Sequence, residues 1–209
     1  MIYDKNRKKM VERLKEMGIS DNKVLKAMGE VPRHEFLPSG LEFQAYDEKA
    51  LPIGSGQTIS HPYTVALMTQ TLQVHKNQKI LEIGTGSGYQ SAVLTQMGVN
   101  VYSIEKVKSI GLQARATLHR LNYHVLTKIG DGTLGWSQYA PYDAIIITAG
   151  APVVPETLID QLSENGKLLL PVGDKDSQIL TLFIKEEGEL HIFRIEEMKF
   201  VPLIGKEGW

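Results

Sequence analysis

Between Lys79 and Tyr89 the chain reads Lys79-Ile80-Leu81-Glu82-Ile83-Gly84-Thr85-Gly86-Ser87-Gly88-Tyr89, a pattern that few folds accommodate. Ile80, Leu81 and Ile83 form a short, nearly continuous apolar run, as in a parallel strand buried on both faces. Gly84 ends the run where the chain must turn sharply, and the pattern predicts a helix from near Ser87. Glycines at 84, 86 and 88 permit positive φ and remove the Cβ at alternate positions of the turn. A ligand can therefore lie against bare backbone at the carboxyl end of the strand, which is where open α/β sheets bind their ligands.

The spacing narrows the ligand. A dinucleotide fingerprint requires G-x-G-x-x-G, whereas the third glycine here comes one residue early, which disfavours NAD. The next strand pattern, Asn100-Val101-Tyr102-Ser103-Ile104, ends in Glu105. That is about twenty residues beyond Gly84, the offset at which an acidic residue meets ribose hydroxyls. An adenosine ligand fits both facts. The plainer alternative is a tight βα turn with Glu105 as an exposed charge at a strand end.

Composition bounds the rest. A chain of 209 residues with 42% hydrophobic content suits one domain with a sizeable core. A net charge of −1 supplies no basic field for nucleic acid or an anionic membrane. There is no cysteine, hence no disulfide, thiolate metal site or cysteine nucleophile. The six histidines are scattered without H-E-x-x-H, so no metal is expected. No apolar run approaches the ~20 residues of a membrane span, and a cytoplasmic monomer is expected.

Residues 4–17 place Met10, Val11, Leu14 and Met17 on one helical stripe, with Gly18 as its stop. Ser20, Asp21 and Asn22 offer caps for a second helix with Val24, Leu25 and Met28 inward. From Val31 to Pro62 periodicity is lost and prolines and glycines accumulate, which predicts a long irregular functional loop. Pro62 suits the first turn of the next helix, so Ser60 lies at or just before an N-terminus whose N–H groups and dipole favour an anion. Ser60 is equally placed to be a simple turn residue. It is not the serine of a G-x-S-x-G elbow, which argues against serine hydrolysis.

Further strands are predicted at 124–129, 143–148 and 167–172. Asp131 follows the first of these and either accepts an adenine N–H or caps the Thr133-Leu134-Gly135 turn. Ala149-Gly150-Ala151 leaves room for a ligand after the second. Asn165-Gly166 is expected to turn the chain into the third. Residues 177–185 and 190–195, around Glu186-Glu187-Gly188-Glu189, read as a hairpin.

Leu81-Glu82-Ile83-Gly84-x-Gly86-x-Gly88-Tyr89 resembles the first motif of S-adenosylmethionine-dependent methyltransferases. The block from Tyr46 to Pro62, containing Pro52-Ile53-Gly54-Ser55-Gly56-Gln57-Thr58-Ile59-Ser60-His61-Pro62, resembles protein-L-isoaspartate (D-aspartate) O-methyltransferases, as do Arg33-His34-x-Phe36 and Phe200-Val201-Pro202-Leu203. The resemblance implies an α/β, Rossmann-like methyltransferase fold: a mostly parallel central sheet, a C-terminal antiparallel hairpin and an N-terminal helical cap. It divides a single domain into a cap and substrate loop (1–62), a cofactor-binding core (63–172) and C-terminal strands with a tail (173–209).

The resemblance further implies S-adenosyl-L-methionine as cofactor, S-adenosyl-L-homocysteine as product and isoaspartyl-containing proteins and peptides as partners. Ser60 is then the active-site residue. The cofactor contacts are Thr58, Ile59, His61, Glu82, Gly84, Thr85, Gly86, Ser87, Gly88, Glu105, Lys106, Asp131 and Gly132. The substrate contacts are Thr58, Ile59, Ser60, Val201 and Leu203. A methyltransferase for a small molecule, or a module that merely binds an adenosine ligand, is the alternative, though the latter leaves the block 46–62 unexplained.

Overall fold

The computed structural model describes residues 2–209. Helix α1 (Ile2–Glu16) buries Met10 and Leu14, and α2 (Asn22–Glu30) buries Val24, Leu25 and Met28. Gly18 stops α1 as expected. Its φ of +98° allows Gly18 N–H to reach Lys15 O and Ile19 N–H to reach Leu14 O, each at 3.0 Å. The chain leaves the helix axis there, and Met17, expected on the inward stripe, is 40% exposed. Asp21 caps α2 by accepting from Lys23 N–H and Val24 N–H.

Residues 31–62 are more regular than the prolines and glycines suggested. They hold 3₁₀ turns at Arg33–Phe36 and Glu42–Gln44, then an antiparallel hairpin of β1 (Leu51–Gly54) and β2 (Gln57–Ile59). The hairpin escaped notice because its strands are three or four residues long and its turn, Gly54-Ser55-Gly56, has three consecutive positive φ values. Leu51, Ile53 and Ile59 nevertheless point inward.

One side chain fastens this segment to the core. Arg33 is fully buried; its Nε donates to Ala45 O and its Nη2 to Ser60 O, both at 2.7 Å. Its guanidinium lies 4.7 Å from the ring centroid of Tyr89. Burial lowers the group to about 10, so it stays charged at neutral pH.

The core sheet runs β3 (Lys79–Ile83), β4 (Asn100–Glu105), β5 (Val125–Ile129), β6 (Tyr142–Ile147) and β7 (Leu162–Gly173) in parallel, then β8 (Gln178–Glu186) and β9 (Glu189–Met198) antiparallel. The spatial order is β5-β4-β3-β6-β7-β8-β9. Helices α3 (Pro62–Leu72), α4 (Tyr89–Gln96), α5 (Lys108–Arg120) and α6 (Glu156–Asp160) complete the layers. The hairpin β8–β9 closes through Glu187 and Gly188, both with positive φ, as the sequence predicts. Asn165-Gly166 differs from expectation. It is a bulge within β7, where the pairing jumps from Tyr142↔Leu162 to Ala144↔Lys167 and Asn165 takes φ +61°.

Beneath the end of β3 lies a fully buried carboxyl group. Glu82 Oε2 accepts from Ser103 Oγ at 2.7 Å and from Ser91 Oγ, while Oε1 has no partner among the described residues. Thr85 Oγ1 and Ser103 Oγ, 2.6 Å apart, extend the chain of hydroxyls to the glycine turn. Burial raises the Glu82 carboxyl to about 7, against the two serine hydrogen bonds and helped by Glu105.

Because the folded value lies above the ordinary 4.5, stability from the protonated form is complete below about pH 4.5 and lost as pH rises through about 7. Glu82→Gln, which cannot ionise, should gain on the parent chain across that window. The expected gain at alkaline pH is about 3 kcal/mol, from 1.36 kcal/mol per pKa unit. Urea unfolding at a series of pH values measures it, and a difference that does not change with pH refutes it.

Candidate functional site

Strand order reverses at β3, which pairs with β4 on one side and β6 on the other, so a crevice opens at their carboxyl ends. The glycine turn sits at its head. Gly84 N–H bonds Ile104 O at 2.8 Å, and Thr148, just past β6, donates its hydroxyl to Gly84 O at 2.7 Å. A Cβ on Gly84 would lie 2.6 Å from that hydroxyl, and φ is +95°, so no other residue fits. Gly88, φ +89°, precedes the first residue of α4; the helix starts at Tyr89 and not near Ser87 because this residue is left-handed.

Glu105 is buried, which removes its reading as an exposed charge. Its Oε2 accepts from Gly86 N–H at 2.8 Å and its Oε1 from Val107 N–H at 2.9 Å. A carboxylate has about four lone-pair sites, so each oxygen keeps capacity for a ligand hydroxyl. The glycine turn and the strand-end acid are thus one rigid unit.

A single cavity gathers residues 57–60, 83–87, 104–107 and 201–204 with Gly132, Thr148, Ala149 and parts of α3 and α4. It brings together Thr58, Ile59, Ser60, Gly84, Thr85, Gly86, Ser87, Glu105, Lys106, Gly132, Val201 and Leu203 of the expected residues. Four expected residues do not line it. Glu82 lies under the turn, and Gly88 faces Leu118, whose side chain a Cβ would meet at 3.1 Å. His61 is the N-cap of α3, its Nδ1 accepting from Tyr63 N–H at 3.0 Å; burial, helped by the charge of Arg33, lowers its pKa.

Asp131 caps the 3₁₀ turn Gly132–Leu134 through Thr133 N–H and Oγ1, and also accepts from Lys206 N–H and Lys106 Nζ. Burial alone would raise its carboxyl, but these hydrogen bonds outweigh it and hold the group below the usual carboxylate range. The turn cap is one of the two places its sequence position allowed.

The helix terminus beyond Ser60 offers less than expected. Pro62 has no N–H, and that of Tyr63 is taken by His61, so the first two positions of α3 give no free donor. Ser60 itself is half-buried at the cavity wall, its carbonyl held by Arg33. Opposite, Val201 O accepts from Gly150 N–H at 2.8 Å and Leu203 N–H donates to Gly150 O at 2.7 Å, fixing the tail against the cavity edge.

Ala149 lines the cavity, as its place in the small-residue run after β6 predicts, whereas Gln57, Val65, Met68, Ile83, Tyr89, Gln90, Ile104, Val107, Thr148, Pro202 and Ile204 are lining residues that sequence reasoning did not single out. Val65 and Met68 are buried apolar residues of α3 and reach the cavity from the core side. Only Thr148, a polar residue closing an apolar strand, carried a readable signal. Glu105 is the only acidic residue among the described residues that line the cavity. Chemically, the cavity joins a backbone cradle and a ribose-type acceptor to a neutral hydroxyl.

The family model for protein-L-isoaspartate(D-aspartate) O-methyltransferase matches residues 5–208. The chain is 48% identical over its full length, and 95% of the relative, to a protein-L-isoaspartate O-methyltransferase of Pelodictyon phaeoclathratiforme. It is 49% identical, over 99% of the chain and 98% of the relative, to protein-L-isoaspartate O-methyltransferase 1 of Syntrophobacter fumaroxidans.

Among solved structures, a protein-L-isoaspartate O-methyltransferase superposes with a TM-score of 0.89 at 33% identity, over 97% of this chain and 67% of the other. A Plasmodium falciparum beta-aspartate methyltransferase, solved with S-adenosyl-L-homocysteine, superposes at 0.83 with 26% identity, over 95% of this chain and 98% of the other. The chain therefore belongs to the protein-L-isoaspartate(D-aspartate) O-methyltransferase family.

Proposed function

We propose that this protein methylates the free carboxylate of L-isoaspartyl and D-aspartyl residues in damaged proteins and peptides, from S-adenosyl-L-methionine, as the first step of their repair. The observation that carries this is the meeting of Ser60 with the glycine turn and Glu105 in one cavity. When bound, the cofactor supplies an electrophilic methyl group and leaves as S-adenosyl-L-homocysteine. The residues that suit it are the bare backbone of 84–87, Glu105 for the ribose and Gly132, where a Cβ would lie 2.3 Å from Ile83 Cγ2.

The chain's own part is placement. A carboxylate with an ordinary pKa near 3.5 to 4 is already ionised at neutral pH, so no base is needed. An acidic side chain against the attacking oxygen would repel it. Glu105, the one acid among the described residues that line the cavity, has each oxygen held by a backbone N–H of the turn or the strand end, while Ser60 presents a neutral hydroxyl. Ser60 orients one substrate oxygen and leaves the other free to attack. Arg33, fixing Ser60 O to α4 through Tyr89, keeps that hydroxyl in register with the turn. Thr58 and Ile59 on β2 and Val201 and Leu203 on the tail form the mouth that receives the peptide and excludes water. The protein works as a cytoplasmic monomer in this reading.

Ser60→Ala should lower kcat/KM for an isoaspartyl peptide by about one to two orders of magnitude, the worth of one hydrogen bond to a charged group, with S-adenosylmethionine affinity unchanged. Full activity, or loss of cofactor binding, would show the assignment to be wrong. With methyl-labelled S-adenosylmethionine, the isoaspartyl peptide should take up label and a matched peptide carrying normal aspartate should take up none.

Glu105→Ala should weaken S-adenosylmethionine and S-adenosylhomocysteine by about 1.5–3 kcal/mol in calorimetry. Unchanged affinity for both would detach Glu105 from the ribose.

A further inference from the structure

His61 follows Ser60 directly, and its half-buried imidazole is the side-chain cap of α3. Nδ1 accepts from Tyr63 N–H at 3.0 Å, so the ring is neutral and its proton sits on Nε2. The carbonyl of the same residue accepts from Val65 N–H at 3.2 Å, and His61 thereby satisfies two donors of the first turn. Histidine is not one of the usual N-cap residues. Ser, Thr, Asn and Asp keep an acceptor oxygen at any working pH, whereas an imidazole loses its acceptor when it binds a proton.

We propose that His61 is a positioning residue for methyl transfer: its neutral ring, by capping α3, holds the Ser60–His61 peptide so that the Ser60 hydroxyl meets the substrate carboxylate, and protonation of the ring releases it. This rests on the methyl-transfer reading of the site. Ser60 has little else to fix it. Its hydroxyl bonds no described residue, and its carbonyl is held from one side by Arg33 Nη2 at 2.7 Å. The far end of that peptide unit is His61, and the cap sets the direction in which the chain enters the helix. With the cap broken one tether remains, about which the hydroxyl can swing. A displacement of about 1 Å can cost about 100-fold in an aligned transfer.

The groups around the ring set its charge. Arg33 faces it from the 3₁₀ turn, Arg13 from α1 and Glu48 from the loop before β1. Tyr63, whose hydroxyl is bonded to Glu196, stands edge-on with 6.5 Å between ring centroids. Glu48 is paired with Arg13 at 2.8 Å. Its backbone and carboxylate favour the charged ring, but burial, with the two arginines, outweighs them and brings the pKa below the ordinary 6.5. A proton on Nδ1 would also face Tyr63 N–H and the positive end of the helix dipole. The cap is therefore intact above about pH 6.5 and lost as pH falls through the lowered value. The substrate carboxylate, with an ordinary pKa near 3.5 to 4, stays ionised while the ring titrates.

The test is kcat/KM for an isoaspartyl peptide from pH 5 to 8, with calorimetry of S-adenosylhomocysteine at the same pH values. The unaltered protein should lose activity towards pH 5. His61→Asn, whose Oδ1 accepts from Tyr63 N–H at every pH, should match it at pH 8 and lack the acid limb. His61→Ala, without a cap, should fall by about 2- to 30-fold at pH 8, the range of one N-cap. Both variants should bind S-adenosylhomocysteine as the unaltered protein does at each pH.

An unaltered protein whose rate holds down to pH 5, or an acid limb that His61→Asn keeps, overturns the proposal. So does an alanine variant as fast as the unaltered protein at pH 8, or a cofactor affinity that falls in step with the rate. If His61→Ala does not fold, His61→Asn carries the comparison alone. No label in the isoaspartyl peptide at any pH, with the unaltered protein, would instead overturn the methyl-transfer reading itself.

Discussion

The site depends on the reversal of strand order at β3. With β4 on one side and β6 on the other, the chain leaves β3 towards one neighbour and returns, after β5, on the other. The crossovers diverge at the carboxyl end of β3, and the backbone there must turn within a few residues. The glycines solve a crowding problem from both flanks. Thr148 from the β6 side closes on Gly84, and Glu105 from the β4 side reaches Gly86. The same contacts that make the turn rigid hold Gly84 and Gly86, which have no side chain, at the cavity wall.

Attaching the cap is a separate problem, and Arg33 is its solution. A buried guanidinium without a carboxylate partner is an expensive group, tolerated where backbone carbonyls and an aromatic face stand in for water. Here Ala45 O, Ser60 O and the ring of Tyr89 do so. Those three come from the loop, the end of the β1–β2 hairpin segment and the first residue of α4. Removing the charge would free Ser60 from the glycine turn, though neither touches the other through sequence. The buried apolar cluster of the cap, from Met10 to Ile59, packs on α4 and α5 and gives the tether something firm to hold.

Two carboxyl groups stand one above the other at the end of β3 and β4, with opposite tasks. Glu105 faces the cavity, and backbone N–H groups hold both its oxygens. Glu82 faces away into the core, where serine hydroxyls are its partners and burial favours its protonated form. The raised Glu82 carboxyl, protonated below about pH 7, spares Glu105 part of a buried charge of the same sign close by.

The strand, the glycine turn and the helix were legible from residues 79–89, since an apolar run broken by alternate glycines has few alternatives. Glu105 was legible by its offset, and the β8–β9 hairpin by its Glu-Gly turn. Those features are local: they follow from backbone freedom and side-chain period within a dozen residues. Sequence order alone could not say that Glu82 points beneath the turn while Gly84 faces the ligand, because a twisted strand buried on both sides shows no polar face. Nor could it reveal β1 and β2, whose pairing is specified by packing on the core more than by their few residues. The neighbours of Ser60, the clamp from Thr148 and the charges that face His61 belong to tertiary structure. Each depends on where a distant element lands, and distance along the chain carries no record of that.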